Sequence, residues 1–266
     1  MLRYSQLDGN TIIKEERIKM AISKSSMVNE EKRLVTLAVD SYENGTWTGL
    51  LFCGQDQQGT DCCGAMDLLR QMELIFDELK YPMLSMSQRN FLVAEATVQK
   101  AERKHARREG RLATLIMAVR QRQFASWQGV VIDVKTQDRH MFSSFLQLMD
   151  IIEGVVTGKM PVRNDQGQMS MEQLAREMNR CLMDAGSSVN QLEVKQAFSN
   201  NLFCSYSRGD NCLNLTIRVM FQANNTCQGV IYWKEMHQER KFRSFLELIW
   251  IIDQAADSHL ELEQPA

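Results

Sequence analysis

Cys62 and Cys63 stand side by side nine residues after Cys53, and adjacent thiols are the first place where chemistry could be sought. A cysteine pair suits thiol–disulfide exchange or a soft metal ion. A structural zinc site, however, needs four ligands at set spacings, and no histidine lies nearby. The chain has seven cysteines, an odd number, with no Cys-x-x-Cys, which reads as free thiols in a reducing compartment. Cys62 also takes the place that Phe142 and Phe242 hold in related stretches, so it is expected to be a small core residue. The histidines, His105, His140, His237 and His259, share no motif with a nucleophile or a carboxylate. Gly-x-Ser-x-Gly, Gly-rich phosphate loops and His-Glu-x-x-His are all missing. Arg208-Gly209-Asp210 reads as a turn, and the Asn-x-Thr triplets carry no meaning without a secretion signal. No catalysis, metal or cofactor is expected.

Two other groups of residues could recognise a partner. The first is the Trp-Gln-Gly element: Trp127, Gln128 and Gly129, with Trp47 before it and Gln228 and Gly229 after it. Tryptophan offers a flat apolar face with one N–H, glutamine offers two donors and an acceptor, and glycine lets another backbone or a ligand come close. Together they could form a recognition tip for a protein partner. The plainer reading is that the tryptophan closes the end of a core while the glutamine bonds across a hairpin, since most buried aromatics only pack. The second group is a basic run: Lys100, Arg103, Lys104, Arg107, Arg108, Arg111, Arg120 and Arg122 against Glu95, Glu102 and Glu109. On a helix, Lys100, Lys104 and Arg108 would share one stripe and Arg103, Arg107 and Arg111 the next, a spacing able to follow phosphates. Connectors are ordinarily charged and solvated too, and no nucleic-acid-binding motif accompanies the run.

What must position these residues is a stretch that recurs. Residues 124–152 align without a gap on residues 224–252, with ten identities in 29 positions, among them Gln128/Gln228, Gly129/Gly229, Phe142/Phe242 and Ser144/Ser244. A fainter copy lies 80 residues upstream, where Trp47 and Gly49 face Trp127 and Gly129. Within each, apolar alternation marks strands: Leu213, Leu215, Ile217 and Val219 interleave with Asn214, Thr216 and Arg218. Asn44-Gly45 and Asn224-Asn225 mark hairpin turns. Phe242, Phe245, Leu246, Ile249 and Ile252 then recur at helical steps. Leu248, Trp250 and Ile251 make that helix apolar on its other faces, so it must be covered from more than one side.

The expected fold is therefore α+β: three tandem ββα repeats, each a hairpin plus helix, with antiparallel sheet and helical connectors. An N-terminal helix falls within 1–32, a degenerate first unit at 33–80 and a basic helical connector at 81–110. The second unit spans 111–157, a helical connector 158–210, the third unit 211–257 and an acidic tail 258–266. Within the connectors, helices are expected at 87–109, at 170–184 behind a Ser170-x-x-Gln173 capping box, and at 188–198. A strand near Leu202 should pair with the third unit, and the chain from Asp253 should fray.

The strings Ser126-Trp127-Gln128-Gly129 and Phe242-Arg243-Ser244-Phe245-Leu246-Glu247-Leu248 resemble a group of short, uncharacterised bacterial proteins of about one such unit. Cys227, Thr48 and Cys62 depart from its pattern. The resemblance implies a chain that strings together units found singly elsewhere, and no activity.

The totals agree with a protein that works by binding. Formal net charge is -2, so whole-molecule charge draws it to neither nucleic acid nor anionic lipid. The opening MLRYSQLDGNTIIKEER is broken by charge, so no leader is expected, and no apolar run reaches the ~20 residues of a membrane span. Seventeen methionines would suit an adaptable apolar surface as well as a core. The expectation is a cytoplasmic, non-enzymatic protein-interaction or regulatory module, with nucleic-acid binding through residues 100–122 as the alternative.

Overall fold

A computed structural model describes residues 32–87, 89–91, 102, 104–159, 168–182, 190–198, 201–208 and 213–262. All of the N-terminal segment expected to hold a helix except residue 32 lies outside them, as do residues 88, 92–101 and 103 of the first connector, Lys100 and Arg103 among them. In chain order the elements are β1 (Val35–Glu43), β2 (Thr46–Cys53), β3 (Gln58–Cys63), α1 (Gly64–Leu79), β4 (His105–Ala106), β5 (Ala113–Gln121), β6 (Gln128–Asp133), β7 (Arg139–Phe142) and α2 (Phe145–Thr157). They continue with α3 (Met171–Leu182), β8 (Asn190–Phe198), β9 (Asn201–Arg208), β10 (Leu213–Ala223), β11 (Thr226–Trp233), β12 (Gln238–Phe242) and α4 (Phe245–Leu262).

This is not three tandem ββα repeats. Among the described residues there are twelve strands in two antiparallel sheets and four helices. One sheet has seven strands in the order β4-β3-β2-β1-β5-β6-β7, the other five in the order β12-β11-β10-β9-β8. A third strand stands before each of α1, α2 and α4 where a turn was expected. Its sequences, such as RHMF and QERKF, are mostly polar, because these strands pair through their backbones and bury little besides the final Phe142 or Phe242. The stretches also do not stack one after another. β1 pairs with β5, Val35 opposite Met117 through Val39 opposite Ala113, which fuses the first two into one sheet. β10 pairs instead with β9, so the third lies in the other sheet.

Helices fill the space between the sheets. α2 packs on β5, β6 and β7 on one side and on β11 on the other; α1 packs on β2 and β3, α3 on β8 and β9, and α4 on β10, β11 and β12. α4 also touches α1 and α2. That double coverage is why Leu148, Ile151, Ile152, Leu248, Ile249 and Ile251 are all buried, and one continuous core joins both sheets. Among the described residues no helix is long and apolar enough to cross a membrane.

Other expectations fare unevenly. The Ser170 capping box forms as read, Ser170 N–H donating to Gln173 Oε1 at 2.8 Å and Gln173 N–H to Ser170 Oγ at 3.1 Å. β9 pairs with β10 as expected. The helix expected at 188–198 is β8, an edge strand whose polar residues are helix-neutral and whose hairpin with β9 decides the outcome. Residues 104–110 are extended rather than helical, with β4 pairing to β3. The chain beyond Asp253 does not fray: α4 runs to Leu262, because Arg70 Nε and Nη2 donate to both Asp253 carboxylate oxygens at 2.8 and 2.6 Å.

Candidate interaction surface

The Trp-Gln-Gly elements face inward. Trp127 is 1% exposed and Trp47 3%. The Trp127 ring meets Phe76 and Phe145 edge to face, at 5.3 and 5.0 Å between centroids. Its Nε1–H donates to Glu73 Oε1 at 2.8 Å, and the other Glu73 oxygen accepts from Arg122, itself buried. Gln128 spans its own hairpin turn, with Nε2 donating to Gln123 O and Oε1 accepting the Gln123 N–H, each at 2.9 Å. Gln228 is half-buried. Gly129 and Gly229 answer the question of what approaches them. A Cβ would lie 2.1 Å from Ala118 O and 2.0 Å from Arg218 O, the strand opposite, beside a bulge in β5 and in β10.

The described part of the basic run is turned to protein acceptors. Arg107 donates to Gly54 O, Asp56 O and Thr36 Oγ1 and lies over the Phe52 ring. Arg108 clasps Asp40, whose carboxyl it holds below the usual carboxylate range. Lys104 pairs with Glu102, and Arg122 is buried on Glu73. Arg111 and Arg120 remain exposed, so these residues form no continuous cationic stripe. Cys62 lies in the core opposite Gly49, and burial pushes its thiol well above the usual range.

What the surface does present is apolar. Met83 is 82% exposed, Phe124 55%, Met86 46% and Leu84 42%. These four belong to two segments tied together by hydrogen bonds. Leu84 bridges to Arg122; Ser85 N–H and Oγ donate to Arg122 O at 3.2 and 3.0 Å; Arg243 reaches Met86 Sδ at 3.2 Å and Ser87 O at 2.7 Å. The buried Arg122–Glu73 pair thus anchors the 82–87 loop from beneath, Arg122 Nη1 also donating to Pro82 O at 3.4 Å. Phe124 sits two residues further along the same backbone, in the β5–β6 turn.

That turn is a type I′ hairpin, with both central residues at positive φ: Phe124 at 54° and Ala125 at 51°. The equivalent turns hold Asn44 and Gly45, at 51° and 84°, and Asn224 and Asn225, at 54° and 56°. Asparagine and glycine tolerate this region; a phenylalanine there costs about 1–2 kcal/mol and, more than half exposed, regains little by burial. Sequence reasoning passed over Phe124. The signal was present, as a lone aromatic where both counterparts carry Asn.

A cavity of about 540 Å³ lies elsewhere, between the β1–β2 turn, α2, α3 and β8. Arg180 bridges Glu153 and Glu177 in its wall, and Tyr42 O–H donates to Glu153 Oε1 at 2.7 Å. Burial pushes the Glu177 carboxyl up to about 7 against the pull of Arg180, with Asp150 and Glu153 adding to the rise. No protein-family model, curated protein or solved structure matches this chain.

Proposed function

We infer that this protein is a non-enzymatic interaction module of the cytoplasm, and that its partner, a polypeptide, seats on the Met83–Leu84–Met86–Phe124 patch. The observation that carries the reading is Phe124. Its conformation and its exposure both oppose its presence in an isolated fold, so its benefit must be gained against another molecule. Three further exposed apolar side chains, two of them methionines, stand on the loop bonded to Arg122 just before its turn and supply a surface that can repack around a partner. The described cysteines are all free thiols, which suits a reducing compartment.

The test is a photo-crosslinking amino acid placed at position 124 in cells, with the exposed Glu193 as control position. A discrete polypeptide adduct at 124 and none at 193 is expected. Equal trapping at both positions, or none at 124, overturns the reading.

A further inference from the structure

The segments around the patch carry four exposed cations and two exposed acids, an arrangement that points to what lies on it. Lys80 follows α1 and directly precedes Tyr81, whose hydroxyl donates to Arg120 O at 3.3 Å, which brings the Lys80 and Arg120 backbones to the start of the 82–87 loop. Arg89 donates from Nη1 to Lys241 O at 3.1 Å, and these two cations stand on the side where Arg243 holds Met86. Lys80, Arg89, Arg120 and Lys241 are all exposed, and none of the four makes an ion pair among the described residues. By contrast, Arg108, Arg122, Arg180 and Arg243 each have a carboxylate. Four exposed cations without an ion-pair partner thus stand on the segments that carry these apolar side chains or are bonded to them. Asp77 and Glu78 are exposed on the same rim, Asp77 Oδ1 lying 3.8 Å from Arg122 Nη1. A uniformly anionic surface such as a membrane would meet those two carboxylates as well as the cations. A helix with charges at discrete positions can pair with the cations and avoid the acids.

We propose that the partner presents an acidic amphipathic helix, its apolar face on Met83, Leu84, Met86 and Phe124 and its carboxylates against Lys80, Arg89, Arg120 and Lys241. This rests on the patch being the partner seat. The size agrees: four side chains contributed by two segments that run side by side, joined in parallel at Leu84 and Arg122, can receive anchors from about two turns of helix, at positions i, i+3 or i+4, and i+7. Methionine supplies the adaptability, and Phe124, held by a tight turn, supplies a rigid anchor. Charge then selects the partner and speeds encounter, while the apolar contacts set the lifetime.

The experiment uses the full chain and fluorescein-labelled synthetic helices: one with a Leu face and Glu elsewhere, one with every Glu changed to Lys, and one with the Leu/Glu composition scrambled to destroy the face. Anisotropy is read at low and high salt, beside flotation on phosphatidylglycerol vesicles. The Leu/Glu helix is expected to bind at least about tenfold more tightly than the other two, a difference of about 1.4 kcal/mol. Phe124→Asn, which relieves the turn and so leaves a folded protein, is expected to weaken it about tenfold or more. The double variant Arg120→Glu with Lys241→Glu should weaken it too and remove its salt dependence. Equal binding of the Glu and Lys helices, both lost in Phe124→Asn, overturns the charge assignment while the seat stands. Vesicle binding that Phe124→Asn abolishes, in the absence of helix binding, overturns the inference in favour of lipid. Binding by none of the probes also overturns it, and the seat is then judged by crosslinking at 124, which depends on no chosen peptide.

Discussion

Phe124 and Trp127 are three residues apart, and the fold uses them in opposite ways. At φ 54° Phe124 occupies backbone space that Asn224 fills at the same angle, so Phe124→Asn is expected to raise stability by about 1 kcal/mol in denaturant unfolding. A loss of stability would show that the ring packs in a way its exposure denies. Trp127→Ala should cost about 3–5 kcal/mol, since it opens the space between Phe76 and Phe145 and removes the N–H that Glu73 accepts. An unfolding curve close to the native one would place Trp127 outside the core. The sequence drew attention to Trp127 because the residue recurs at 47, yet recurrence followed packing: Trp47 is buried too. The residue that breaks the pattern of its counterparts, Phe124 against Asn44 and Asn224, was equally visible. Its meaning depended on the turn's φ angles and on exposure, which no side-chain pattern expresses.

Elements legible in the sequence were those whose side chains alternate or repeat over a buried face: β10, β5, and the helices α2 and α4. β7 and β12 were missed because a strand four or five residues long, polar on most positions, leaves almost no period. β8 was mistaken for a helix because an edge strand buries too little to impose alternation; Glu193, Val194, Lys195 and Gln196 are all exposed. α3 was read correctly through its cap, but the cluster it carries was not, since Tyr42 and Glu153 lie far in sequence from Glu177 and Arg180 and join them only after folding. That cluster makes a pH prediction. Glu177 rises from its ordinary value near 4.5 to about 7, so the folded chain binds the proton more tightly than the unfolded one. Its contribution is therefore full below about 4.5, declines as pH climbs toward 7, and is gone above it. The span corresponds to at most about 3 kcal/mol. Glu177→Gln, a permanently neutral stand-in for the protonated carboxyl, should lose less stability than the native protein between pH 5 and pH 8, as read by thermal unfolding (about 2–3 kcal/mol of relative gain at the alkaline end). Parallel curves for the two proteins would mean that Glu177 is already ionised at pH 5.

At the scale of the whole molecule, the two sheets are joined by a reciprocal exchange. Ser144, at the start of α2, donates from Oγ to Asn225 O in the β10–β11 turn at 2.6 Å and accepts the Gln147 N–H at 3.1 Å. Ser244, at the start of α4, donates to Ala125 O in the β5–β6 turn and accepts the Glu247 N–H at 2.9 Å. Both hydroxyls are fully buried, so each helix cap is also a lock onto the opposite sheet's hairpin. Because the locks join halves that share one core, removing either destabilises both sheets together. Ser144→Ala and Ser244→Ala should each cost about 1–2 kcal/mol and leave a single unfolding transition, followed by calorimetry alongside far-ultraviolet dichroism. Two separated transitions in either variant would show that the sheets fold independently. The near-symmetry ends at function. Ser244 holds the turn that carries Phe124, whereas Ser144 holds Asn224 and Asn225 on the far side of the joint. For a similar loss of stability, Ser244→Ala should weaken capture of the Leu/Glu helix several-fold while Ser144→Ala leaves it near the native value. Equal effects on binding would mean that the seat needs only a folded protein, and not the order that Ser244 gives to the Phe124 turn.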